Sequence, residues 1–117
     1  MFTSTAQVIH AAALSDSDLD VDDLDPAKVV SGAPELRSLA LHDSDELAVG
    51  IWQHSVGVSR DVEADEIFVV ISGSATVEVA DGPTLEIGPG DVGLLPAGAQ
   101  TVWTIHETLR KVYIIRP

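Results

Sequence analysis

The stretch from Asp65 to Gly98 constrains the fold more than any other part of the sequence. Short apolar runs alternate there with turn-forming residues, and the runs are Ile67 to Ile71, Ala75 to Val79, Thr84 to Ile87 and Val92 to Leu95. The segment Asp81-Gly82-Pro83 separates the middle two runs, as a hairpin connection would. Short strands joined by such turns are typical of antiparallel sheets, so we predict a small antiparallel barrel.

The same pattern continues on both sides of this stretch. We predict further strands at Leu36 to Leu41, Leu47 to Val56, Val58 to Ala64, Gln100 to Ile105 and Arg110 to Ile115. Strands that follow one another at a spacing of about 8 to 12 residues indicate a sandwich or barrel and not βαβ units. A chain of 117 residues forms one domain. We place this all-β domain at residues 25–117.

Residues 1–24 differ in composition and are predicted to form an acidic N-terminal arm. Between Ser15 and Asp25, aspartates repel one another and apolar residues are sparse, which favours a short irregular segment on the surface. Asp25 then reads as a helix N-cap with Pro26 at the first helical position, and Gly32 is a stop signal. We therefore expect a helix of about one to two turns before the first long strand.

Charge and composition exclude several classes of partner. The formal net charge is −13, and the six basic residues form no cluster, so we expect neither nucleic acid nor an anionic membrane as a partner. No apolar run approaches the roughly 18 residues of a membrane span. The N-terminus lacks the pattern of a signal peptide, which predicts a cytoplasmic protein. Without cysteine, disulfide and thiolate chemistry are absent.

Side-chain alternation predicts a pocket inside the barrel. Successive residues of a strand face opposite sides, so Glu66 shares a face with Phe68, while Thr101 and Trp103 share a face of a later strand. Both faces of the strand from Ile67 to Ile71 are apolar, and we expect both to be covered. A carboxylate that faces a hydroxyl and an aromatic ring across a barrel indicates a binding pocket.

At this point the residues resemble a known family. Glu66 followed by six residues and Gly73 resembles the end of the first cupin motif, and Gly90 followed by five residues and Pro96-Ala97-Gly98 resembles the start of the second. The resemblance covers about residues 25 to 116 and is to single-domain cupins such as the ureidoglycine aminohydrolase and ethanolamine-utilisation cupins. It implies a double-stranded β-helix, an RmlC-like jelly roll, with a pocket between its sheets and commonly a homodimer.

The metal-binding pattern of that family is largely missing. Only Glu66 is kept, because the His-x-His positions hold Arg60 and Val62, or Ser59 and Asp61 on a longer spacing, and the second-motif histidine falls on Thr101. One ligand is too few for a typical metal site. We expect no cofactor. If a divalent metal binds, its ligands would be Glu66, His54 and Asp61.

Several residues are candidates for ligand binding. Arg60 could pair with Glu66 and replace the metal, or it could be an exposed arginine. His54 could assist, or it could be structural. The aromatic candidates either line the pocket or fill the core, and they are Trp52, Phe68, Trp103 and Tyr113.

Three interpretations of the function remain. The first is a protein with a degenerate metal site that binds a small polar metabolite in the barrel, where Arg60, Glu66, Thr101 and the aromatics contact the ligand. The second is a metal-dependent enzyme acting on a ureide, amino acid or sugar, with Glu66 as general acid or base. The third is a non-catalytic interaction module with a filled barrel. A homodimer is expected, because the strand from Leu36 to Leu41 would otherwise be an unprotected edge.

Overall fold

The structure, a computed structural model, describes all 117 residues, and its regular structure is mostly antiparallel strands. The nine strands are β1 (Asp20–Asp22), β2 (Val29–Ser31), β3 (Leu36–Asp43), β4 (Ala48–His54), β5 (Gly57–Val62), β6 (Asp65–Val79), β7 (Thr84–Ile87), β8 (Val92–Leu95) and β9 (Gln100–Arg116). Three single-turn 3-10 helices span Ala11–Ala13, Asp16–Asp18 and Pro26–Lys28. No helix is long and apolar enough to cross a membrane.

The two long strands β6 and β9 hold the barrel together. They pair antiparallel along almost their whole length, from Asp65 opposite Arg116 to Val79 opposite Thr101. β6 also pairs with β8 in its first half and with β7 in its second, while β9 pairs with β5 and then β4. The predicted all-β jelly roll is confirmed, with each of these strands crossing from one sheet to the other.

Four of the predicted strands form only two in the structure. The segments predicted at Gln100 to Ile105 and Arg110 to Ile115 both belong to β9. The segments predicted at Ile67 to Ile71 and Ala75 to Val79 are parts of the single strand β6, which bends at Gly73 through register shifts instead of ending there. Gly73 has a φ of 85°, and a Cβ atom at this position would collide with the carbonyl oxygen of Thr108. In the sequence, Gly73 indicated a break between two strands. In the structure, it lets one strand bend while the strand stays paired with β9.

The core lies inside the barrel. It contains nine buried apolar residues contributed mainly by β6 and β9, namely Phe68, Val70, Ala75, Val77, Ile87, Leu95, Trp103, Ile105 and Leu109. These positions alternate along each strand as the period of two requires. The open end of the barrel is not filled in this way and contains the cavity described below.

The expectation that β6 is covered on both faces is wrong for its outer side. Ile67 and Val69 are 44% and 37% exposed, and Val92 and Leu94 on β8 and Ile114 on β9 are exposed beside them. We call these five residues the outer apolar face. Only the inner face of β6 is covered within a single chain.

The N-terminal arm is attached to the barrel by hydrogen bonds. The buried Arg110 side chain donates to the carbonyl oxygens of Ala11 and Leu14 at 2.9 and 2.8 Å and to Gln53 of β4. Leu19 is buried, and β1 then pairs with β3 from Leu36 to Ser38. The arm thus covers part of the strand that we expected to be an unprotected edge.

The predicted helix cap is confirmed, although the helix is shorter than expected. The Asp25 carboxylate accepts a hydrogen bond from the Ala27 amide at 2.9 Å, and Pro26 is the first residue of the 3-10 helix. The helix ends at Lys28 because the next residues form β2 and pair with β5.

Candidate functional site

A cavity of about 570 Å³ opens at one end of the barrel. Inward-facing side chains of β4, β5, β6 and β9 form its walls, and the end of the arm forms part of its rim. The wall and floor residues include Trp52, His54, Ser59, Glu66, Trp103, Lys111 and Tyr113, and the charged rim residues are Asp22, Asp23, Asp25, Lys28, Arg60, Asp61 and Glu63. The predicted pocket is therefore present.

A buried ion pair lies at the floor of this cavity. Lys111 Nζ is 2.7 Å from Glu66 Oε2, and the two side chains are only 6% and 4% exposed. At this distance the contact is a charge-assisted hydrogen bond, in which the ammonium donates to the carboxylate, and Oε2 has no other protein partner. The two groups come together because β6 and β9 are neighbours and both positions face inward.

Three aromatic rings surround the Lys111 ammonium. Nζ lies 4.4 Å from the ring centroid of Trp52 and 4.6 Å from those of Phe68 and Trp103. The negative faces of such rings attract a cation, which offsets part of the cost of removing the ammonium from water. The rings also pack on one another, with Trp103 at 5.7 Å from Trp52 and 5.8 Å from Phe68.

The environment of Glu66 favours its protonated form more than water does. Burial raises the pKa of Glu66 above its ordinary value, and the Lys111 ammonium opposes this rise. The neighbouring carboxylates of Glu63 and Asp61 raise the Glu66 pKa further. The side chain is thus a carboxyl group that accepts and returns a proton more readily near neutral pH than an exposed glutamate does.

His54 is a buried and neutral member of the wall. Its Nδ1 lies 2.6 Å from the Ser55 carbonyl oxygen and its Nε2 lies 2.8 Å from Ser59 Oγ. Burial lowers the His54 pKa, and the nearby Lys111 charge lowers it further, although the Ser55 hydrogen bond acts in the opposite direction. Nδ1–H therefore donates to the carbonyl, and Nε2 accepts from the Ser59 hydroxyl.

A second polar cluster lies near the rim around Glu63. Its carboxylate accepts hydrogen bonds from Thr101 Oγ1 at 2.5 Å and Trp103 Nε1 at 3.0 Å. Backbone hydrogen bonds with Gly98 and Ala99 fix the segment that carries Glu63. Thr101 and Trp103 share an inward face, as predicted, but Thr101 bonds to Glu63 and does not line the cavity.

The predicted pairing of Arg60 with Glu66 is wrong. Arg60 is exposed at the rim, whereas the partner of Glu66 is Lys111. Asp61 is also on the rim, and its carboxylate lies 3.1 Å from Lys28 Nζ. Both residues are exposed at the cavity mouth, on a part of β5 that is still paired with β9.

The four predicted aromatic residues converge on the site in two different ways. Trp52, Trp103 and Tyr113 line the cavity, whereas Phe68 is fully buried behind it and reaches the site only through Lys111. The Tyr113 hydroxyl lies against Gly50 of the neighbouring strand, where any side chain would collide with it. Burial and the nearby charges of Asp43, Asp22 and Glu66 raise the pKa of Tyr113, so it remains a neutral phenol.

Lys111 is the residue that sequence reasoning missed. The signal was present, because Lys111 has the same parity along β9 as Trp103, Tyr113 and the core residue Leu109. Because lysine is mostly a surface residue, Lys111 was not considered as an inward-facing residue.

The residues present do not fit a divalent metal. Both His54 nitrogens have protein partners, the Lys111 ammonium is in contact with Glu66, and Asp61 is paired at the rim. No group of three or more His, Asp or Glu side chains is arranged to hold a metal ion. An ammonium therefore lies where a metal bound to Glu66 would have to approach.

A jelly roll of antiparallel strands with a cavity at one end of its barrel is the architecture of the cupin superfamily. The model of the EutQ-like cupin domain matches residues 41–113, and the chain belongs to that family. No curated protein matches the sequence.

Solved structures agree with this assignment of the fold. The EutQ protein of Clostridium difficile is 17% identical, with a TM-score of 0.64 over 82% of this chain and 81% of that one. A putative ethanolamine utilization protein Q of Salmonella typhimurium is 22% identical, with a TM-score of 0.61 over 78% and 75% of the two chains. A protein of unknown function from Pseudomonas syringae is 25% identical, with a TM-score of 0.72 over 83% of this chain and 43% of that one.

Proposed function

We propose that this protein binds a small polar molecule in the barrel cavity, with the Lys111–Glu66 pair as its polar anchor and without a divalent metal. The observation that carries the proposal is a fully buried ion pair at the floor of an open cavity. Buried ion pairs contribute little to stability compared with apolar residues of similar size. Recognition of a ligand accounts for such a pair better than packing does.

The cavity also supports binding by its size and its walls. Its volume of about 570 Å³ falls in the range of small-molecule sites. Trp52 and Trp103 present apolar surface beside a few polar groups, which is the usual composition of such sites. A purely structural barrel would be expected to fill this space with side chains.

The charges of the lining indicate which ligands fit. Six carboxylates line the cavity (Asp22, Asp23, Asp25, Asp61, Glu63 and Glu66) against the three basic side chains of Lys28, Arg60 and Lys111. This excess of negative charge repels anions at the mouth. We therefore propose an uncharged or positively charged ligand.

Intrinsic fluorescence tests this proposal directly, since the only two tryptophans of the chain both line the cavity. Titration with choline, glycerol and acetate represents a cationic, an uncharged and an anionic probe. We expect choline or glycerol, but not acetate, to change the emission in a saturable way. Lys111→Met should weaken the response, and Glu46→Gln in an exposed turn should leave it unchanged. The absence of a saturable change with all three probes would contradict the proposal.

Metal analysis separates this proposal from the metal-dependent alternative. Protein purified without chelators is expected to contain Mn, Fe, Ni, Cu and Zn well below one equivalent by elemental mass spectrometry. The reason is that no free ligand set surrounds Glu66. One equivalent of any of these metals, lost in Glu66→Gln, would favour the metal-dependent enzyme over the metal-free binding site.

One observation favours a second candidate, a metal-free enzyme that uses Glu66 as a general acid or base. Burial raises the pKa of Glu66 toward the range in which a carboxyl group transfers protons efficiently at neutral pH. In that case Glu66→Gln should abolish turnover while ligand binding, measured by tryptophan fluorescence, remains. Equal loss of turnover and binding would assign Glu66 to binding alone.

A further inference from the structure

The two lysines of the chain occupy contrasting environments. The Lys28 side chain is 48% exposed at the cavity rim, whereas Lys111 is buried at the cavity floor. The Lys111 amine lies 2.7 Å from a carboxylate oxygen that has no other protein partner. A primary amine beside a proton acceptor, at the end of a ligand-sized cavity, is an arrangement that activates lysine as a nucleophile.

We propose that Lys111 forms a Schiff base with a carbonyl-bearing ligand in the cavity, and that Glu66 moves the protons this reaction requires. The inference rests on the proposed function, because it takes the same cavity as the ligand site. It adds the chemical class of the ligand, an aldehyde or ketone, and a covalent bond to a single named atom.

The reaction balances within the pair. The Lys111 ammonium gives one proton to Glu66 Oε2, which leaves a neutral amine and a carboxylic acid. The Nζ lone pair then forms the C–N bond, and the π electrons of the carbonyl move to its oxygen, which takes the proton from Glu66. The tetrahedral adduct next returns a proton from nitrogen to Glu66, and Glu66 passes it to the oxygen, which leaves as water when the C–O bond breaks.

The net change is an ammonium and a carbonyl compound converted to an iminium and one water. The positive charge stays at Nζ, so the partner of Glu66 is preserved and the carboxylate ends as it began. The iminium also remains among the rings of Trp52, Phe68 and Trp103, which stabilise a cation there. No oxidant, reductant or metal is needed.

The same charges select among carbonyl compounds. Because carboxylates outnumber basic groups in the lining, a keto acid or aldehyde acid is disfavoured at the mouth. An uncharged aldehyde, or one that carries an ammonium group, meets no such barrier. Its size is limited by the cavity volume of about 570 Å³.

Reductive trapping tests the proposal on the intact wild-type protein. The protein is incubated with propanal, treated with sodium borohydride, digested and mapped by mass spectrometry. We expect the propyl group to accumulate on Lys111 before Lys28 and before the Met1 amine, although both of those are far more exposed. In urea the two lysines should be labelled equally, because the preference comes from the fold.

Two variants and one further probe sharpen the test. Lys111→Arg keeps a cation but cannot form an imine, so trapping at this position should be lost. Glu66→Gln removes the proton acceptor and should lose the preference for position 111 over Lys28, provided that its circular dichroism matches the wild type. Glyoxylate, an anionic aldehyde, should label Lys111 less than propanal does, relative to Lys28.

The outcomes distinguish the covalent step from the binding function. Labelling confined to Lys28 and Met1, with a saturable change of tryptophan emission still present on adding the probe, would overturn the Schiff base and leave the binding proposal standing. No labelling of Lys111 and no fluorescence response to any probe would overturn both. Preferential labelling of Lys111 that persists in Glu66→Gln would overturn the role given to Glu66.

Discussion

At the scale of single residues, the site is defined by a lysine in place of a metal ion. Glu66 occupies the position expected from the cupin motif, but the cation beside it is a fixed ammonium held by three aromatic rings. A fixed +1 charge differs from a metal ion in that it offers no open coordination position at which a water could be bound and activated. What it offers instead is an amine and a paired carboxyl group, and both can transfer protons.

Removal of one partner of the ion pair should destabilise the fold more than removal of both. We expect Lys111→Met to lower the free energy of unfolding by about 3–5 kcal/mol, because it leaves the Glu66 charge buried without a partner. Glu66→Gln combined with Lys111→Met should recover most of that loss, as a urea-denaturation double-mutant cycle would measure. Lys28→Met, which removes an exposed pair with Asp61, should cost at most about 1 kcal/mol. Additive effects of the two buried substitutions would contradict the pairing.

His54 should make the fold sensitive to mild acid. Its pKa is lowered in the folded protein, so the unfolded chain takes up a proton at a higher pH, near its ordinary value of about 6.5. The stability that His54 contributes is therefore present above about pH 6.5 and is lost as the pH falls below that value, by at most about 1.4 kcal/mol per pH unit.

Urea denaturation at several pH values from 7.5 to 5.5 measures this effect. The comparison is between wild type and His54→Gln, because the raised pKa of Glu66 acts in the opposite sense and is common to both proteins. We expect the free energy of unfolding to fall less steeply with decreasing pH in His54→Gln than in the wild type. The slope should be unchanged in His10→Gln, which alters an exposed histidine. Equal slopes in all three proteins would mean that the pKa of His54 does not differ between the folded and unfolded states.

At the scale of secondary-structure elements, two bent strands decide the architecture. β6 and β9 each run through both sheets, and each bend is accommodated by shifts in register instead of a loop. This continuity places Glu66 and Lys111 on neighbouring strands, beside core residues of the same strands such as Phe68 and Leu109. The site and the core therefore share the same two strands.

Gly73 should be the most sensitive position of the bend. We expect Gly73→Ala to lower the free energy of unfolding by about 1–3 kcal/mol or more, because φ is positive there and a Cβ atom would meet the Thr108 carbonyl. Gly88→Ala is the matched control, since nothing lies within 4 Å of a Cβ atom at that position. Thermal and urea unfolding of both variants provide the comparison, and equal stabilities would contradict the steric argument.

At the scale of the whole molecule, the chain combines a net charge of −13 with one uncharged apolar surface. The outer apolar face consists of five exposed aliphatic side chains on three adjacent strands. The edge strand that first suggested a dimer is partly covered by β1, so that argument no longer holds for its first half. The outer apolar face replaces it as the surface through which we propose that two copies associate.

Charge supports a second copy as the occupant of this face. Elsewhere two copies of so acidic a chain repel each other, whereas the outer apolar face itself carries no charge, and Asp65, Asp91 and Arg116 lie at its border. We expect sedimentation at micromolar concentration to show a dimer for wild type and a monomer for Leu94→Arg. Val56→Arg, at an exposed valine outside this face, should remain dimeric. A monomeric wild type would contradict the proposal.

Much of this molecule could be predicted from local sequence patterns. The strands at Thr84–Ile87 and Val92–Leu95, the Asp25 cap and the inward alternation of Thr101 and Trp103 follow from spacing that depends only on neighbouring residues. The resemblance of the Glu66 and Gly98 motifs to cupins identified the fold for the same reason, since those turns have a fixed local chemistry.

The partner of Glu66 was decided only by the tertiary structure. Lys111 is 45 positions away in the sequence, and strand parity places it on an inward face without showing which carboxylate it meets. Strand pairing between β6 and β9, together with the bends that keep both strands continuous, determines which cation meets the carboxylate. A sequence by itself determines which way side chains alternate along a strand, whereas long-range register determines which side chains meet.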